Sequence, residues 1–153
     1  MVVVVSDRCA AGEREDRSGP AAVELLRSAG YAVPEPIVVP DGARSVATAL
    51  GHAVASGARV VVTSGGTGVG PRDETPEGTR PLLAKELLGL PELLRRSSDV
   101  PTAVLSRGLA GVTAEGVVVV NLPGSTGGVR EGLVVLIPLL PHLLSQVEGG
   151  DHA

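Results

Sequence analysis

Four short runs of β-branched residues dominate the pattern of this chain: Val2–Val5, Ile37–Val39, Val60–Val62 and Val117–Val120. Each is continuously apolar rather than alternating, which is how strands covered on both faces read. Branching at Cβ favours that extended backbone. Between the runs lie helical spacings. Ala21, Leu25, Leu26 and Ala29 mark a first helix closed by Gly30. Val46, Ala49, Leu50, Ala53 and Val54 mark a second, ending near Gly57. Thr75-Pro76 reads as an N-cap and a first-turn proline opening a third, and Leu93-Leu94 belong to a short fourth. Ser125 is expected to cap a last helix carrying Val129, Leu133, Leu136 and Leu140, bent by Pro138 and Pro141.

Strands alternating with helices imply βαβ crossovers, hence an α/β protein with three layers, α/β/α, around a mostly parallel sheet. Ala103-Val104-Leu105 and Val117–Val120 are separated by too few residues for a crossover helix. They predict a hairpin and one antiparallel strand in a mixed sheet. With 153 residues, no internal repeat and no linker, the chain reads as one domain over 1–148 with a tail at 149–153.

Composition narrows the function classes. Hydrophobic residues are 43% and aromatic ones 1%, so Val, Leu, Ala and Ile must build the core, and platforms for base stacking are missing. The net charge is −4, and Arg95-Arg96 is the sole adjacent basic pair, so nucleic acid is not an expected partner. No consecutive apolar run approaches the ~20 residues of a membrane span, and no basic segment precedes Val2, so the expected location is the cytoplasm. Cys9 alone forms no intramolecular disulfide, and His52, His142 and His152 lack metal-binding spacing.

The polar residues after each run carry the functional signal. Ser6-Asp7 follows the first, Pro40-Asp41 the second, Thr63-Ser64-Gly65-Gly66-Thr67-Gly68 the third, and Asn121-Leu122-Pro123-Gly124-Ser125 the last. In a doubly wound sheet these positions fall along one edge, where ligands bind. Glycines 65, 66, 68 and 70 would let backbone amides face an anion such as phosphate, beside the charged run Arg72-Asp73-Glu74. A glycine turn alone would also explain the run, but not the charges beside it. The segment is neither a Walker loop nor a dinucleotide fingerprint, because no Gly-Lys-Ser/Thr follows and Pro71 stands where the latter needs Gly. Asp73 could hold Mg²⁺. Asp41 could instead cap the second helix, Asp7 could fold its own turn, and Asn121 and Ser125 could simply shape their loop.

In order, Val5-Ser6-Asp7, Asp16-Arg17-Ser18-Gly19-Pro20, Val39-Pro40-Asp41, Thr63–Gly68, Pro71-Arg72-Asp73-Glu74-Thr75-Pro76-Glu77, Leu105-Ser106-Arg107 and Asn121–Ser125 resemble the molybdopterin adenylyltransferases. This is the Mog/MoaB family, with plant and animal G-domain relatives, and the likeness runs from Val4 to about Leu144. The resemblance implies a homotrimer that adenylylates molybdopterin with Mg-ATP and hands its product to a molybdate-inserting enzyme. It implies Asp41 and Asp73 as catalytic residues and Mg²⁺ ligands. It implies Ser6, Asp7, Ser64, Gly65, Gly66, Thr67, Gly68, Ser106, Asn121, Pro123, Gly124 and Ser125 as substrate- and nucleotide-binding residues. Two departures stand out: Ser64 replaces a Thr, and Thr126-Gly127 replaces the commoner Pro-Lys. The alternative is a non-catalytic relative that binds molybdopterin or a partner protein; a molybdate-inserting transferase would resemble proteins with additional domains.

Overall fold

A computed structural model describes residues 1–150; residues 151–153 of the expected tail lie outside the described residues. The four Val-rich runs form β1 (Val2–Val5), β2 (Ile37–Val39), β3 (Val60–Ser64) and β6 (Val118–Leu122). They join β4 (Leu83–Glu86) and β5 (Ala110–Thr113) in one sheet of order β2-β1-β3-β6-β5-β4. β2, β1, β3 and β6 pair in parallel, whereas β5 is antiparallel to both β6 and β4. One strand therefore runs against the rest, as the sequence implies, but it is a different strand. Ala103-Val104-Leu105 lies in a 3₁₀ turn over Pro101–Leu105, and Ala110–Thr113 makes the hairpin with β6. Pro101 removes a donor at the start of that segment, and Val104 and Leu105 are 68% and 57% exposed, so nothing pairs with it.

Among the described residues seven α-helices accompany the sheet: α1 (Asp7–Ala10), α2 (Ser18–Ser28), α3 (Ala43–Ala55), α4 (Thr75–Thr79), α5 (Gly89–Arg96), α6 (Thr126–Leu136) and α7 (Leu140–Val147). Strand residues alternate sides. Val2 and Val4 pack with Ala22, Val23 and Leu26 of α2 and with Val129, Leu133, Leu136, Leu140 and Leu144 of α6 and α7. Val3 and Val5 pack on the opposite face with Val46, Ala49, Leu50 and Ala53 of α3. That is the three-layer α/β/α arrangement. β2 departs from the expectation of two covered faces: it is an edge strand, with Ile37 40% and Val38 36% exposed.

Helix ends follow local chemistry in some places and distant chemistry in others. Gly30 lies at φ +93° just past α2, where its N–H reaches the Arg27 carbonyl and the Tyr31 N–H that of Leu26. Gly149 and Gly150 close α7 in the same way, on the Gln146 and Ser145 carbonyls, so they belong to the helix end rather than to a tail. Ser125 caps α6, its Oγ accepting the Gly128 N–H at 3.0 Å. Thr75 does not cap α4. It is the first helical residue, and its hydroxyl donates to the Gly65 carbonyl at 2.8 Å.

Thr126–Val147 is 22 residues long and contains an 18-residue stretch of mean hydropathy 1.4, long and apolar enough to cross a membrane. This corrects the expectation drawn from consecutive apolar runs. A 3₁₀ turn over Ile137–Leu139 divides the segment, and its stripe Val129, Leu133, Leu136, Leu140 and Leu144 is buried against the sheet. Its other side is open, with Val134 and Leu139 exposed.

Candidate active site

β1 lies between β2 and β3, so the chain leaves it first to one side and then to the other. Such a switch point opens a crevice beyond the carboxyl ends of the strands. A cleft of about 450 Å³ occurs there, with Ser6 and Asp7 after β1, Asp41 after β2, Ser64, Gly65 and Gly66 at the end of β3, and Gly124 and Ser125 after β6. Asp73 joins them from the loop before α4. Three carboxylates and two small-residue loops thus share one cleft.

Each carboxylate is held differently. The Asp7 N–H donates to Asp41 Oδ2 at 2.8 Å, and the Asp41 N–H returns a bond to Asp7 Oδ1 at 3.0 Å. Arg72 then forks onto Asp7 through Nε and Nη2, at 3.1 and 3.0 Å, and Nη2 also donates to the Asp41 carbonyl. The hydrogen-bonded Arg72 guanidinium holds the Asp7 carboxyl below the usual carboxylate range. Asp7 is therefore no simple turn residue, and Asp41 is no helix cap. The N-cap of α3 is Gly42 at φ +119°, and the Ala43 N–H is taken from a distance by Glu74 Oε2 at 2.9 Å.

Asp73 Oδ2 accepts the Gly70 N–H at 2.8 Å. Side chains at Gly68 or Gly70 would crowd that carboxylate, so these two glycines make room for Asp73 rather than presenting amides to a ligand. Within this loop the positive-φ backbone falls at Gly65 and Gly66, at +108° and +64°, and not at Gly68 or Gly70. A side chain at Gly65 would collide with the Val5 carbonyl oxygen, and one at Gly66 with the Thr75 hydroxyl. Arg107 braces the loop from behind: its N–H donates to the Thr67 carbonyl, Nε to that of Gly68 and Nη2 to that of Asp73, at 2.8, 2.7 and 2.6 Å. Glu77 anchors the guanidinium at 2.5 Å, which depresses the Glu77 carboxyl in turn.

Five of the expected binding residues do not line this cleft. Thr67 and Gly68 turn beneath it under Arg107. Ser106, Asn121 and Pro123 line a separate, much smaller hollow of about 40 Å³ between α5 and α6. Asn121 is 4% exposed, and its amide donates to the Thr63 and Thr79 hydroxyls, both at 3.0 Å, while Oδ1 accepts the Leu109 N–H. It locks β6 to β3, α4 and the strand-five approach. Ser64 lines the floor, but its hydroxyl is engaged by Ser18 and the Pro123 carbonyl. Two cleft residues, Arg8 and Arg14, carried no recognisable motif.

Asp41 and Asp73 each keep one carboxylate oxygen free of hydrogen bonds among the described residues. Hard oxygen donors of this kind suit Mg²⁺, which takes one or two carboxylates and completes its shell with water and phosphate. No group of three His, Cys, Asp or Glu residues fit to hold a metal occurs among the described residues, so a closed protein cage is not built here.

Residues 1–142 match the family described as "Probable molybdopterin binding domain". The molybdopterin adenylyltransferase of Pyrococcus furiosus is 46% identical over 149 residues, which cover 94% of this chain and 87% of that protein. The molybdenum cofactor biosynthesis bifunctional protein of Synechococcus elongatus is 40% identical over 153 residues, 99% of this chain but 48% of the relative. The chain thus spans about half the length of that bifunctional protein. The solved Mog protein of molybdopterin biosynthesis from Mycobacterium ulcerans superposes with a TM-score of 0.89 at 44% identity, covering 95% of this chain and 96% of that one. Sequence and fold agree, and the chain belongs to the molybdopterin-binding domain family that holds the Mog and MoaB proteins.

Proposed function

We propose that this protein is an enzyme of molybdenum-cofactor synthesis that adenylylates molybdopterin with Mg-ATP, giving adenylyl-molybdopterin and pyrophosphate. The observation that carries the reading is the meeting of Asp7, Asp41 and Asp73 with the Gly65-Gly66 turn in one cleft at the switch point. The relative from Pyrococcus furiosus bears the name of that activity.

In the reaction a terminal phosphate oxygen of molybdopterin bonds to the α-phosphorus of ATP. The bond from that phosphorus to the β-bridging oxygen breaks, and its electron pair leaves with pyrophosphate. A phosphate nucleophile is already ionised near neutral pH, so no protein base is required. The difficulty is to hold two anions in line. Asp41 and Asp73 would hold Mg²⁺, which supplies charge neutralisation at the phosphates when bound. Arg72 keeps Asp7 ionised and tied to Asp41, fixing the spacing of the β1 and β2 loops. Gly65 and Gly66 let the loop pass hard against the Val5 carbonyl and the Thr75 hydroxyl, which sets its position in the cleft. We assign the aspartates to binding and positioning, not to proton abstraction.

The remaining partners follow the same reading: molybdopterin and ATP as small-molecule substrates, no nucleic acid or membrane, a cytoplasmic location, and hand-over of product to a molybdate-inserting enzyme. The assembly we propose is a homotrimer. On the last helical segment Leu140 and Leu144 are buried within the chain, whereas Leu139 and Val134 stay exposed and could meet another subunit. Exposed Leu88, Val100, Val104 and Leu105 offer a better apolar surface. Light scattering at micromolar concentration should return about three times the 15.4 kDa chain mass, and a monomer would contradict the assembly. The functional test is release of pyrophosphate that requires molybdopterin, ATP and Mg²⁺ together; release independent of the pterin would sink the reading.

A further inference from the structure

The arginines around the cleft fall into two kinds. Arg72 is forked onto Asp7, and Arg107 onto Glu77. Arg8 and Arg14 line the cleft itself. Neither of their side chains makes an ion pair or a hydrogen bond among the described residues, although three carboxylates line the same cleft.

The backbone brings these two residues together. Glu13 and Arg14 both donate their N–H groups to the Arg8 carbonyl, at 2.9 and 3.2 Å, and Gly12 makes the turn at φ +73°. Their neighbour Arg17 behaves differently, pairing in solvent with Glu15 at 3.5 Å. Among the described residues lining the cleft the cations are Arg8 and Arg14; α6 opens with Thr126, Gly127 and Gly128, and its Arg130 reaches Glu24 at 3.8 Å. Both arginines line the cleft without a protein counter-ion among the described residues, so an anion bound there would supply the missing charge to each. Each presents donors in a fork matched to phosphate oxygens, enough together for two phosphate groups.

We propose that Arg8 and Arg14 form the subsite that takes the outer phosphates of the nucleotide and retains them as pyrophosphate leaves. The assignment rests on the adenylylation reading for its place in the reaction, and on the unpaired arginines for its chemistry. It divides the cleft in two. Asp41 and Asp73 serve the α-phosphate, and the loop after β1 serves the leaving group.

The test is calorimetric titration of inorganic pyrophosphate, at fixed Mg²⁺ and without pterin, into the wild-type protein and an Arg8→Gln, Arg14→Gln double variant. Both side chains are exposed, so the variant should keep the wild-type melting temperature. Pyrophosphate should bind at least about tenfold more weakly to it, in keeping with the loss of charge-assisted bonds. AMP should bind both proteins alike, and Arg17→Gln should bind pyrophosphate as the wild type does. Undiminished pyrophosphate binding in the double variant, no binding to the wild type, or an equal loss of AMP would each overturn the subsite. A wild type that binds pyrophosphate through these arginines but never adenylylates the pterin would overturn the functional reading and leave the subsite standing.

Discussion

Asp7 and Asp41, from loops 34 residues apart, exchange backbone-to-carboxylate hydrogen bonds in both directions, at 2.8 and 3.0 Å. The pair fastens the end of β1 to the end of β2 and leaves Asp41 Oδ1 beside Gly66. An acidic residue that a sequence places at a helix start is thereby diverted to the cleft.

The diversion separates two roles by mutation. Asp41→Ser removes the carboxylate, and with it the bond from the Asp7 N–H, while leaving the α3 N-terminus on Glu74, so turnover should collapse while stability falls by no more than about 1 kcal/mol for that one bond. Glu74→Ala should do the reverse, costing about 1 kcal/mol of stability as a lost cap while turnover persists. Thermal melts beside turnover assays check both; survival of activity in Asp41→Ser would remove Asp41 from the chemistry.

Asp73→Asn keeps an oxygen that can accept the Gly70 N–H and deletes the charge. Turnover should fall at least about 100-fold with the fold intact, the loss expected for one charge-stabilising contact. Steady-state kinetics and circular dichroism decide it. Wild-type turnover in this variant would discard the metal-binding role of Asp73.

Much of this arrangement could be read in the chain, and the failures share a cause. The Val-rich runs announce β1, β3 and β6 because their local pattern and their burial in the sheet agree, while β2 keeps the pattern at an exposed edge. Leu83-Ala84-Lys85-Glu86 lacks that signature, and β4 exists because β5 pairs with it. Ala103-Val104-Leu105 has an apolar strand's composition without a partner. Asp41 and Asn121 were ambiguous for the same reason: the groups that settle their roles, Asp7, Thr63 and Thr79, lie 34, 58 and 42 residues away. Arg8 and Arg14 matter through what does not pair with them, which no spacing rule detects.

Acid should weaken the Asp7–Arg72 fork in a defined direction. Asp7 has a folded pKa below its ordinary value of 3.8, so its contribution to stability is fully present above that value. It disappears as pH falls further, through the lowered folded pKa. Arg72→Gln should return the Asp7 titration toward 3.8, as followed by NMR of its carboxyl carbon. An unchanged Asp7 titration in that variant would show that the guanidinium does not hold it down.

Mass detection of the pterin product shows whether this cleft adenylylates molybdopterin. Purified protein is mixed with molybdopterin, ATP and Mg²⁺, and the pterin is followed by mass spectrometry in wild-type and Asp41→Ser, Asp73→Asn reactions. The expected product is a pterin heavier by one adenylyl group with the wild type, and almost none with the double variant or with chelator present. Unmodified pterin in the wild-type reaction, or equal adenylylation by the double variant, would contradict it.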